Sequence, residues 1–282
     1  MGETLRIEGN EWETTVTENP RHEVTLKRVQ VQMPATESVE VRQQIPYGGA
    51  GQTIDVYYPA AAAPPARAVI LVSGLSDIGA QRLFGCRINE MQSVISWAKL
   101  FAATGVAAVT YTTGEDPAAD LQALADHLAQ SGHEIGIAGD RVALWACSSH
   151  VPNALGLLIS EPHRVACAAL CYGFMLDLDG SSGVATAQRK WRFANPAGGK
   201  SAANLPADVP LLIVRAGRDA FPEINPSIDR FVAHALSRNL PIHLVNHHAG
   251  AHGFDVDEPG ATTERLVQQI LTFVRGNLMV PS

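Results

Sequence analysis

Short apolar runs alternate with longer amphipathic segments along most of this chain. Ala68–Val72 is nearly all apolar, as in a strand with helices on both sheet faces. Glu90–Thr104 has helical periodicity and stops at Gly105, and Val106–Tyr111 predicts the next strand. Asp116-Pro117 opens a helix through Gln130, with the proline at a tolerated first-turn position. Beyond it the pattern predicts a strand from Arg141, a helix-compatible Asn153–Leu158, and strands at Val165–Tyr172 and Val209–Val214. A helix at Ile228–Ser237, a strand at Ile242–Asn246 and a terminal helix at Thr262–Gly276 complete the series. Repeated β-α units of this kind predict an α/β fold with a doubly wound, mostly parallel sheet.

The first sixty residues differ in character. Val24–Val31 and Val39–Ile45 alternate and are rich in β-branched residues; Tyr47–Gly51 is a turn and Thr53–Pro59 a further strand. Residues 1–60 therefore read as an antiparallel N-terminal extension of the sheet, and 61–282 as the main domain. Ala60–Pro65 reads as a surface loop. Within the main domain, Asp177–Pro206 has little periodicity and is rich in Gly, Ser and Ala. An interval that long predicts a lid or binding segment, with Trp191 and Phe193 as candidate substrate contacts.

Composition narrows the function classes. An apolar fraction of 46% against 17% charged residues supports a sizeable core. The net charge of −7 argues against a nucleic-acid partner, which needs clustered Lys and Arg. No secretory leader and no run of roughly 20 apolar residues is visible, so neither export nor a membrane is expected. The four cysteines lack C-x-x-C spacing and predict reduced thiols in a cytoplasmic protein, with Cys167 and Cys171 buried. No G-x-G-x-x-G or Walker-type loop occurs, and His243, His247, His248 and His252 have no H-E-x-x-H frame. No cofactor and no metal is expected; self-association stays open.

The chemistry gathers at the ends of predicted strands. Arg141–His150 runs from a buried strand into a turn of small residues centred on Ser148, and a helix follows. That is the physical content of a nucleophile elbow, here Ala146-Cys147-Ser148-Ser149-His150. Cys147 is a rival centre, disfavoured because Trp145 would then crowd the turn. His150 stands where a glycine is usual; it is either a tolerated substitution or a side chain on the floor of a substrate site. A serine nucleophile needs a base, itself oriented by an acid. Strand–turn segments supply both: Arg215-Ala216-Gly217-Arg218-Asp219, and His247-His248-Ala249-Gly250-Ala251-His252-Gly253-Phe254. Asp219 could instead cap a helix, and His247 and His248 compete with His252.

These segments, with Val72-Ser73-Gly74-Leu75 after the first core strand, resemble the α/β-hydrolases from about Thr53 to the C-terminal helix. The Gly250–Phe254 loop is closest to the dienelactone hydrolase-like serine esterases. The resemblance implies Ser148 as nucleophile, His252 as general base and acid, and Asp219 as the residue orienting His252. It also implies an oxyanion hole from the backbone N–H groups of Leu75 and Ser149. The implied substrate is a small carboxylic ester, lactone or thioester, cleaved through an acyl-enzyme. The same triad would serve an acyltransferase, a thioesterase or a peptidase. A non-catalytic binding protein on this fold stays open, because His150 and Ser73 depart from the family pattern.

Overall fold

Apolar, β-branched runs bounded by glycine and polar turns form the strands, and the amphipathic segments between them form the helices. The computed structural model describes residues 21–31, 33–49, 51–60, 64–178 and 183–279. The strands are β1 (Glu40–Pro46), β2 (Thr53–Tyr58), β3 (Ala66–Leu71), β4 (Ala107–Tyr111), β5 (Ile137–Cys147), β6 (Val165–Cys171), β7 (Leu211–Ala216) and β8 (Ile242–His247). The helices are α1 (Asp77–Phe84), α2 (Gln92–Ala103), α3 (Pro117–Ser131), α4 (Val151–Ser160), α5 (Gly183–Trp191), α6 (Ile224–Ser237), α7 (Phe254–Asp257) and α8 (Ala261–Met279).

All eight strands lie in one sheet, ordered β1-β2-β4-β3-β5-β6-β7-β8. β1 pairs antiparallel with β2, and β2 antiparallel with β4; the remaining pairs are parallel. The expected α/β architecture with antiparallel N-terminal strands therefore holds. One face of the sheet packs on α3, α4 and α6 through Leu121, Leu155 and Phe231. The other packs on α2 and α8 through Trp97, Phe101, Ile270 and Val274. Both faces of β3 and β5 are thus covered, which is why Ala68–Leu71 and Val142–Ala146 read as continuous apolar runs. No described helix is long and apolar enough to cross a membrane.

Three local expectations need correction or completion. Val24–Val31 is not a strand: Glu23–Leu26 is a 3-10 turn capped by His22, and only Thr25 and Val29 of the run are buried. Its alternation reflects two buried side chains four residues apart, not pairing. Residues 1–20 of the predicted extension lie outside the described residues. The 177–206 interval contains a helix, α5, which turns Val184 and Ala187 inward and rests Trp191 against the core. Residues 179–182 of that interval lie outside the described residues. Finally α1, which the hydrophobic pattern does not predict, is set by its ends: Ser76 caps its first turn and Gly85 closes it with a left-handed backbone.

Candidate active site

Loops at the carboxyl ends of β3, β5, β7 and β8 converge on one place, the location expected for a site in an open parallel sheet. β5 delivers Ser148 at φ +53° in a 3-10 turn, Ser148–His150, which runs directly into α4. This left-handed backbone is unusual for a residue with a side chain and is the signature of a sharp strand–turn–helix elbow.

Three side chains from three strand ends meet there. His252 Nε2 lies 2.9 Å from Ser148 Oγ, and His252 Nδ1 lies 2.7 Å from Asp219 Oδ2. The Asp219 side chain is fully buried. Its second oxygen, Oδ1, accepts the Phe221 backbone N–H at 2.9 Å. Asp219 does not cap the following helix, whose N-cap is Glu223; it turns the chain locally and faces the histidine. The His252 ring is held between Tyr172 and Phe221, edge-to-face at centroid distances of 5.1 and 4.7 Å. His247 is instead buried beside Phe254 with Nε2 3.6 Å from Glu258, and His248 is exposed.

The acid and histidine loops cross at Gly217. A β-carbon there would sit 2.3 Å from the His248 carbonyl oxygen, so only glycine permits the approach. Backbone bonds lace the two loops: Gly217 N–H donates to the His247 carbonyl at 2.8 Å and Arg218 N–H to the Gly250 carbonyl at 2.8 Å. Glu258 closes the histidine loop by accepting the Ala251 N–H at 2.7 Å.

The loop after β3 lies on the opposite side of Ser148. Its Gly74 abuts the elbow, where a β-carbon would meet the Ser149 carbonyl oxygen at 2.6 Å. Asn153 Nδ2 donates to the Ser73 carbonyl at 2.7 Å, and the Tyr111 hydroxyl donates to the same oxygen at 3.2 Å. Thr113 Oγ1 donates to the Leu75 carbonyl at 2.8 Å. The Leu75 N–H makes a long contact, 3.4 Å, with Ser73 Oγ. His150 Nδ1 accepts the Gly74 N–H at 2.7 Å.

Cys147, the rival centre in the elbow, is directed to the α2–α8 side, with Tyr172 and Asp255 near its thiol. Burial first, and the Asp255 carboxylate second, push that thiol well above the usual range. Such a thiol is a poor nucleophile. Asp255 is itself buried, accepting from Tyr172 Oη at 2.5 Å and Trp97 Nε1 at 2.7 Å, and burial raises its carboxyl. All four cysteines are free thiols, and Cys167 and Cys171 are buried.

The two aromatics of the insert part ways. Phe193 is 1% exposed and stacks on Phe174 inside the core. Trp191 is only partly buried and meets Phe221 edge-on at 6.1 Å, so a chain of rings runs Trp191–Phe221–His252. Phe221, Tyr111, Thr113 and Asn153 are site residues that the sequence did not single out. A faint signal existed for Asn153, a lone amide inside the apolar helix α4.

No protein-family model matches the chain, and no curated protein matches it in sequence. Solved structures do match in fold. A thermostable esterase from Pseudomonas putida superposes at a TM-score of 0.66 with 14% identity, covering 90% of this chain and 86% of that one. A bacterial heroin esterase matches at 0.65 with 16% identity, covering 87% and 86%. An esterase from Mycobacterium marinum matches at 0.64 with 16% identity, covering 86% and 83%. The fold is that of the α/β-hydrolases.

Proposed function

We propose that this protein is a serine hydrolase of small carboxylic esters or lactones. The observation that carries the reading is the unbroken relay from Ser148 Oγ through the His252 ring to Asp219, built on a serine with positive φ. His252 Nε2 accepts the Ser148 proton as Oγ attacks the substrate carbonyl carbon. Asp219 holds the tautomer with hydrogen on Nδ1 and stabilises the imidazolium that forms. The N–H groups of Leu75 and Ser149 receive the developing oxyanion. His252 then gives its proton to the leaving alcohol, leaving the acyl group on Ser148. Water, deprotonated by the same histidine, attacks the acyl carbon; the carboxylic acid leaves and Ser148 recovers its proton.

The esterase neighbours support the ester over other acyl compounds, and the Gly250–Phe254 loop favours a dienelactone hydrolase-like pocket. Trp191 and Phe221 stand as the pocket wall beside His252, with Phe193 supporting them from the core. Mass spectrometry after reaction with a fluorophosphonate is the direct test. The expected outcome is one adduct on Ser148, and none on the Ser148→Ala variant, which also fails to cleave p-nitrophenyl acetate. A folded wild-type protein that forms no adduct would sink the proposal. Hydroxylamine added to the ester assay separates hydrolysis from acyl transfer by its product.

A further inference from the structure

The residue that least fits the elbow, His150, has a partner 76 positions away in sequence. Two successive peptide groups of the β3 loop are fixed around it. In the Ser73–Gly74 peptide the carbonyl accepts from Asn153 and Tyr111, and the N–H donates to His150 Nδ1. In the Gly74–Leu75 peptide the carbonyl accepts the Ala194 N–H of the insert at 2.7 Å. A trans peptide points its N–H opposite to its carbonyl. Tying the Gly74 carbonyl to Ala194 therefore aims the Leu75 N–H the other way, with only a long contact to Ser73 Oγ. The Gly74 contact with Ser149 presses the same loop against the elbow.

We infer that His150 is a positioning residue that straps the oxyanion-binding loop to the nucleophile elbow, setting where the Leu75 N–H stands relative to Ser148. This rests on the serine hydrolase reading above. The strap needs a lone pair on Nδ1, hence a neutral ring with its hydrogen on Nε2. Burial supplies that condition by pushing the His150 imidazole down to about 4. A glycine at this position, the usual elbow residue, could not reach across. The departure from the motif thus replaces a small residue with a tether. Developing charge on the oxyanion is stabilised only by donors already in position, so a loosened loop costs rate more than substrate binding.

The test compares wild type with His150→Ala and His150→Asn, whose Oδ1 can take the place of Nδ1. With p-nitrophenyl acetate, His150→Ala is expected to lose about 10–100-fold in kcat, with KM changed by less than about threefold. Inhibition by a trifluoromethyl ketone, whose adduct places an oxyanion in the hole, should weaken by a similar factor. His150→Asn should recover most of both losses. In ¹⁵N-labelled wild type, a coupling across the hydrogen bond between Gly74 N and His150 Nδ1 should be visible without any substitution. Absence of that coupling, or a kcat loss with no matching loss of ketone affinity, overturns the strap. So does a folded His150→Ala variant with unchanged kcat. In those cases the fluorophosphonate adduct on Ser148 still forms, so the nucleophile reading survives. If wild type forms no adduct, both fall together.

Discussion

The two sides of Ser148 are held by different means. On the base side, the loops carrying Asp219 and His252 are laced mainly by backbone bonds and a glycine crossing, Gly217 against His248. On the proposed oxyanion side, residues 73–75 are held mainly by side chains from β4, the loop after it, α4 and the elbow: Tyr111, Thr113, Asn153 and His150. Backbone lacing within short loops is written in local motifs. Side-chain bracing is written in single residues far apart in the chain. One site therefore has a half that short peptides announce and a half that only the fold assembles.

The sharpest way to break the base side leaves its shape intact. Asp219→Asn keeps the volume and the turn but favours the wrong His252 tautomer, so kcat should fall by about 10⁴-fold with the fold unchanged. Steady-state kinetics with matched circular dichroism spectra would check this; a loss below about tenfold would mean that His252 is oriented by something else. Next in size is a steric break on the oxyanion side. Gly74→Ala forces a methyl group into the Ser149 carbonyl and should cost about 10²-fold in kcat. Fluorophosphonate should still mark Ser148, more slowly, because base and nucleophile are untouched.

The smallest effect lies in stability. His150 ionises near 4 in the folded chain because of burial, against 6.5 for the free side chain. Between those values the unfolded chain binds the extra proton, so stability is fully present above about pH 6.5 and declines as pH falls toward 4. By pH 4.5 the decline attributable to this one residue is about 2.5 kcal/mol, at about 1.4 kcal/mol per unit. Urea unfolding at pH 7 and pH 4.5 should show it in wild type, and His150→Asn should lose less over the same interval. Equal losses in the two proteins would show that the ring is not held neutral by its surroundings.

The central sheet was legible because buried parallel strands announce themselves as unbroken apolar runs, as in Ala68–Val72. Ser148 and Asp219 were legible because each follows such a run in a short turn, and His252 because a Gly-rich loop after the last strand carries it. What escaped did so for physical reasons. Val24–Val31 has the composition of a strand, but its backbone turns at Glu23–Leu26 and it pairs with no strand among the described residues. The helix α5 has one short apolar face, Val184, Ala187 and Trp191, which does not stand out among the Gly- and Ser-rich residues around it. The acceptor role of His150 depends on Gly74, which β3 and β5 bring alongside by pairing in the sheet. No window of local sequence contains both partners.

One consequence of the elbow concerns how such a chain evolves. Ser148 occupies a backbone region that costs an L-residue roughly 1–2 kcal/mol and glycine almost nothing. Selection for a sturdier fold alone would therefore drift this position to glycine, the one change that removes the nucleophile while relaxing the chain. Under the function proposed above, the hydroxyl there trades durability for reactivity. Design for thermostability that optimises every residue for its own backbone would remove the nucleophile first.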